Sequence, residues 1–195
     1  MSDDNNIEHK VNHSKEYSIF QIAINLTVAC FVSGAIIAGT YFVTEPIAVK
    51  KAAELKTEAM KSLVSDAQKF IPVKNKTDWF TAEKDGKVVG YVVPAESKGY
   101  AGAIKMIVSV TPEGKIIDFD ILESKETPGL GDNAGKDPFK GQFKGKKADD
   151  LEVVKDKTKE NNIQAMTGAT ISSVAVTKGI KEAVEQVKQF VGGKK

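Results

Sequence analysis

Residues 19–43 read IFQIAINLTVACFVSGAIIAGTYFV, 25 positions without one charged side chain. At about 1.5 Å per residue, a helix of that length crosses a hydrocarbon core of about 30 Å, so a single transmembrane helix is expected. A cleaved signal peptide has an apolar run of about 7–15 residues behind a short basic start. Here 18 mostly polar, net-acidic residues come first. Cys30, Gly34 and Ala38 recur every four residues, as do Ala35 and Gly39. Small residues at that spacing let another helix approach closely in lipid; the abundance of Gly and Ala in membrane helices explains them equally well. Pro46 is expected to mark the exit. Lys10 and Lys15 precede the span, while Lys50, Lys51, Lys56 and Lys61 follow it. Counted literally, that places the rest of the chain in the cytoplasm, but long domains cross largely regardless of charge.

Outward from the span, the 195 residues divide into a polar tail (1–18), the helix (19–43) and one domain (47–195). Residues 47–63 are rich in Ala, Glu and Lys and favour a helix. Residues 79–84 and 87–93 flank Asp85-Gly86, a two-residue hairpin signal, and residues 103–110 and 115–122 flank Thr111-Pro112-Glu113-Gly114. Two consecutive hairpins predict an antiparallel sheet. Near the end, Val176, Ile180, Ala183, Val184, Val187, Phe190 and Val191 form a stripe at helical spacing that needs a surface to pack on. The fold class is therefore α+β: one N-terminal transmembrane helix, then a domain with an antiparallel sheet and flanking helices.

Composition excludes several chemistries. All 28 cations are Lys, and the formal net charge is only +2. Without the planar fork of Arg or a basic field, a nucleic-acid reader is not expected. The histidines, His9 and His13, lie in the polar tail, and the single cysteine, Cys30, lies in the span. A Ser-His-Asp triad, a Cys/His metal site, a Cys-ligated iron–sulfur cluster and an intrachain disulfide are removed by counting. Redox work would require an organic cofactor.

Three stretches remain that carry chemistry. Residues 123–150 hold five glycines, six Lys and six acids, and a 28-residue segment of that kind inside a compact domain is usually functional or disordered. It begins with Glu126-Thr127-Pro128-Gly129-Leu130-Gly131, either a tight surface turn or a backbone shaped for close approach of a ligand. Residues 164–173 read QAMTGATISS and run into the amphipathic helix. Thr170, behind the small residues Gly168 and Ala169, is either an N-cap or an open hydroxyl beside a phosphate-favouring helix terminus. In residues 97–102, Tyr100 is either a core aromatic beside a turn or a stacking platform for a planar ring.

Together and in this order, Gly99 to Gly102, the Glu126 to Gly131 motif and Thr167-Gly168-Ala169-Thr170 resemble the covalent-FMN subunits of bacterial ion-translocating redox complexes. These are the G subunit of the Rnf complex and the related C subunit of the sodium-pumping NADH:quinone reductase; chain length favours the former. The resemblance implies FMN joined to Thr170 by a phosphodiester, made from FAD by a flavin transferase with Mg²⁺. It implies that Thr167, Gly168 and Ala169 surround the attachment point, that Glu126, Thr127, Gly129 and Leu130 line the isoalloxazine or ribityl region, and that Tyr100 belongs to the same site. It departs at Gln164, where the family often has Asp. It further implies a single-pass cell-membrane protein with its large domain extracytoplasmic, partnered by the other membrane subunits of an Rnf-type complex. Such a chain relays electrons between ferredoxin and NAD⁺ rather than acting as an enzyme alone. The residues also admit a membrane-tethered small-molecule or peptide binding domain without covalent flavin, and a free-standing reductase.

Overall fold

The computed structural model describes residues 18–155 and 162–193. Most of the polar tail, with His9, His13, Lys10 and Lys15, lies outside the described residues. The chain separates into two compact units, Met1–Lys50 and Lys51–Lys195.

In the first unit, helix α1 (Ile19–Leu63) begins, and it continues into the second. Every side chain from 19 to 43 is exposed, as a lipid-facing helix requires. Pro46 sits inside α1, so the two expected helices are one. An interior proline costs about 3 kcal/mol, but the Ala, Lys, Glu and Leu residues that follow are good helix formers. On the turns before it, Thr40 and Thr44 donate to the carbonyls of Ile36 and Thr40 at 2.8 Å.

The second unit is a five-stranded antiparallel sheet in sequential order: β1 (Lys69–Pro72), β2 (Phe80–Lys84), β3 (Lys87–Lys98), β4 (Ala103–Val110) and β5 (Ile116–Glu123). The first predicted hairpin turns on Asp85 and Gly86, both at positive φ (50° and 73°), as a tight two-residue turn demands. Strand β3 runs five residues past its expected end because β4 pairs with it as far as Lys98↔Ala103. Pro94 fits within it because β2 pairs only up to Val92, leaving β3 one neighbour beyond that point. The edge strand β1 was not expected. Neither was the two-residue parallel pair of β6 (Val153–Val154) and β7 (Ile163–Gln164).

The last turns of α1 pack Ala59, Met60, Leu63 and Val64 on Ala82, Val92 and Ile107. The opposite face of the sheet receives helix α2 (Thr170–Gly192), whose Val176, Ile180, Ala183, Val184 and Val187 join Val93, Met106, Val108 and Phe119. The predicted stripe is thus the packing face, and β4 is buried on both sides. Ser109, wholly buried where the β4–β5 register slips, uses its hydroxyl to accept from Asp118 N–H (3.0 Å) and donate to Asp118 C=O (2.9 Å). Helix and sheet approach closely at Gly179, where a Cβ would lie 2.6 Å from Met106 Cε.

Residues 123–150 are an ordered wrap built on three short 3-10 turns, Gly131–Gly135, Lys140–Phe143 and Ala148–Asp150. The segment returns apolar weight to the core: Phe143 meets Phe119 edge-on at 5.1 Å and Phe139 at 5.3 Å. Truncation of Phe119, fully buried at this junction, is expected to cost about 3–5 kcal/mol. Chemical unfolding of Phe119→Ala in detergent micelles should show a lower midpoint at unchanged slope.

Candidate functional site

The β3–β4 turn, the start of the 123–150 wrap and the start of α2 converge on a cleft of about 530 Å³. Tyr100, Glu126, Thr127, Leu130, Gly168, Ala169, Thr170, Ile171 and Ser172 line it. Seven of the nine sequence-predicted residues are therefore brought together. Thr167 and Gly129 are exposed nearby but do not line the cleft. A larger groove of about 900 Å³, between the 52–62 part of α1 and the sheet, contains none of them. The convergence of three chemically distinctive loops makes the smaller cleft the candidate.

At the base of the cleft is Glu126, a carboxylate only 6% exposed. Its Oε2 accepts a very short hydrogen bond from the Ser172 hydroxyl. Its Oε1 accepts from Ala101 N–H at 2.9 Å. One side chain thereby ties all three stretches together. The room for it comes from two glycines: a Cβ on Gly99 would fall 2.6 Å from Glu126 Oε1, and one on Gly131 would fall 2.7 Å from Oε2 and 2.6 Å from Ser172 Oγ. Burial pushes the Glu126 carboxyl up, but the Ser172 hydroxyl and the N–H groups of Ala101 and Tyr100 outweigh it, and the pKa lies below its ordinary 4.5.

The TGAT loop is held from inside. Ser173, fully buried, accepts from Met166 N–H (3.0 Å) and donates to Ala169 C=O (2.9 Å). Gly168 has φ +75°, open to glycine and strained for other residues, and a Cβ there would approach Leu130 Cδ2 at 3.2 Å. Ala169, not Thr170, occupies the N-cap position, and no side chain caps α2. Thr170 is the first helical residue, exposed, and its hydroxyl has no hydrogen-bond partner among the described residues. The cap reading of Thr170 is therefore not met. What stands in the cleft is a free hydroxyl beside first-turn amides with no intrahelical partner, the arrangement that receives a phosphate.

Tyr100 is 71% exposed at the cleft mouth, so it is not a core aromatic; Leu130 and Ile171 stand beside it at 42% and 57%. An exposed ring with two aliphatic side chains suits a flat apolar ligand. The departure at Gln164 leaves the backbone intact, since Gln142 accepts from Gln164 N–H (2.8 Å) and donates to its C=O (3.2 Å). Sequence reasoning missed Ser172, Ile171 and the service of Gly99 and Gly131. A signal for Ser172 existed: it lies four residues before Val176, on the apolar stripe, and a hydroxyl there requires a buried partner.

The FMN-binding domain family matches residues 99–185. Over 177 residues the chain is 61% identical to the G subunit of the proton-translocating ferredoxin:NAD(+) oxidoreductase complex of Clostridium ljungdahlii, a match covering 91% of this chain and 96% of that protein. It is 32% identical to the G subunit of the Na(+)-translocating ferredoxin:NAD(+) oxidoreductase complex of Acetobacterium woodii, covering 86% and 90%. Among crystal structures, it is similar to the C subunit of Na(+)-translocating NADH-quinone reductase from Parabacteroides distasonis, with a TM-score of 0.50 and 27% identity over 58% of this chain and 61% of that one. The Shewanella oneidensis NqrC structure shares the fold at a TM-score of 0.52, with 22% identity over 66% of this chain and 73% of that one.

Two outcomes follow from the Glu126 bracket. Gly131→Ala drives a methyl into Ser172 and Glu126 and is expected to cost about 1–3 kcal/mol in a thermal melt. Because folding lowers the Glu126 pKa, its contribution is complete above the unfolded value and lost as pH falls through the folded one. Acid unfolding followed by far-UV circular dichroism should be less steep for Glu126→Gln.

Proposed function

The chain belongs to the G-subunit family of ion-translocating ferredoxin:NAD(+) oxidoreductase (Rnf) complexes, and from that premise we propose that it is the complex's membrane-anchored electron relay, its FMN joined to Thr170 Oγ1. When bound, FMN supplies the reversible uptake of electrons that no side chain of this protein offers. The observation that carries the attachment point is the free Thr170 hydroxyl at the uncapped start of α2.

The chain's own residues have separable tasks. The Thr170 hydroxyl attacks the flavin-side phosphorus of FAD, loses its proton and displaces AMP; a flavin transferase with Mg²⁺ is the agent. The first-turn amides of α2 would hold the resulting phosphodiester. Tyr100, Leu130 and Ile171, which line the cleft with Thr127, would hold the ring. A tether sets a high effective concentration of the ring at its pocket without tight binding, which matters most where a lost flavin is not recovered. That consideration supports an extracytoplasmic domain. The span, free of charged side chains from 19 to 43, holds no group from which an ion path is ordinarily made. The role is accordingly electron transfer within the complex.

Thr170→Val, expressed with the flavin transferase, is expected to lose both the FMN mass on the peptide containing residue 170 and the fluorescence of the denatured band. The melting curve should stay within about 0.5 kcal/mol of wild type, because an exposed, unbonded hydroxyl is removed. A cap would cost about 1 kcal/mol. For topology, Lys188→Cys in intact cells should react with a membrane-impermeant maleimide, while Cys30 stays unlabelled; protection of the new cysteine would place the domain inside.

A further inference from the structure

We propose that the Glu126 carboxylate depresses the reduction potential of the flavin held in this cleft, so that the protein tunes the relay with a fixed buried charge. The inference rests on the reading that FMN occupies the cleft.

Glu126 is the one charged residue lining the cleft, and no basic side chain lines it. Both of its carboxylate oxygens face donors, the Ser172 hydroxyl and the Ala101 N–H. Donation to both oxygens stabilises the charged form, so the group is held as an anion. It has no ion-pair partner within 4.0 Å among the described residues. Burial leaves little water to screen it. A bracket that only joined three loops would need hydrogen-bond acceptors, not a net charge. The carboxylate is admitted where Gly99 and Gly131 withhold their Cβ atoms, two residues from Thr170 along α2 by way of Ser172.

The consequence is electrostatic. Oxidised flavin takes up two electrons and one proton to become a ring bearing one net negative charge. A fixed negative charge lining the same cleft disfavours that product and leaves the neutral oxidised ring nearly untouched. The equilibrium shifts toward the oxidised form, and the reduced flavin becomes the stronger donor to its acceptor. Glu126 is thus a positioning and tuning residue that itself gains and loses nothing during turnover.

The test is an electrochemical titration of the purified full-length chain after loading, with the adduct on the residue-170 peptide measured in parallel by mass spectrometry. Glu126→Gln keeps the shape and removes the charge. It is expected to retain the adduct and to raise the reduced-to-oxidised ratio about tenfold at fixed electrode potential, which is about 30 mV for a two-electron couple. Ser172→Ala keeps the charge and removes a donor that partly neutralises it, so the ratio should fall. An unchanged ratio in loaded Glu126→Gln, a loss of its adduct, or a rise in Ser172→Ala would each overturn the proposal. Absence of the adduct from wild type would refute the covalent reading alone, since FMN added to the same protein still reports the effect of Glu126→Gln.

Discussion

The site depends on one buried carboxylate. Glu126 reaches from the wrap to the Ala101 amide in the β3–β4 turn and to Ser172 in α2, residues 25 and 46 positions away along the chain. An unsatisfied buried carboxylate is costly, so the partners hold Glu126 as firmly as it holds them. The two glycines that make room for it convert a local packing detail into a fixed relation between Tyr100, Leu130 and Thr170. Remove either absence of a Cβ and the carboxylate cannot reach both partners at once.

Helix α2 serves packing and chemistry with different parts of its length. Its Val176 to Val187 stripe anchors it on a sheet whose central strand is buried from both sides. Ser97 reinforces the docking by donating to Ala175 C=O at 2.6 Å. Because the middle of the helix is immobilised, its first turn can remain uncapped without fraying, and Ser173 braces the loop that enters it. Most proteins spend a Ser, Thr or Asp side chain on capping such a terminus. Here Ala169 stands in that place and the orphan amides stay open to a ligand.

What could be read in the chain beforehand followed the strength of local signals. The span, both hairpins and the α2 stripe have short-range periodicity, and all are found. Pro46 does not interrupt α1 because the rule that proline ends helices is statistical, and a run of good helix formers on its far side outweighs it. Strands β1 and β6–β7 are two to four residues long, too short to show a period-two pattern. The candidate site was legible as three motifs and as a resemblance. Their common centre was not, since nothing local in Glu126-Thr127-Pro128 says that the first residue points inward, and an acid is ordinarily exposed. Tyr100 was ambiguous for the complementary reason: a lone aromatic beside a turn is usually buried, and only the tertiary structure leaves its ring in the open.

The relation of flavin to membrane follows from what each unit lacks. The span carries no charged side chain between residues 19 and 43, so it can hold the chain in lipid but offers no carboxylate or lysine for an ion to visit. The domain has no Cys or His at all, so it can hold a redox ring but provides no redox group of its own. Similar subunits occur in complexes named for proton and for Na(+) translocation. The proposed role, electron relay alone, is compatible with either ion. On the proposed reading, free energy enters the coupling through this subunit as the potential at which its ring accepts and donates electrons. On that reading, the charge that Glu126 brings to the cleft is a setting this chain controls.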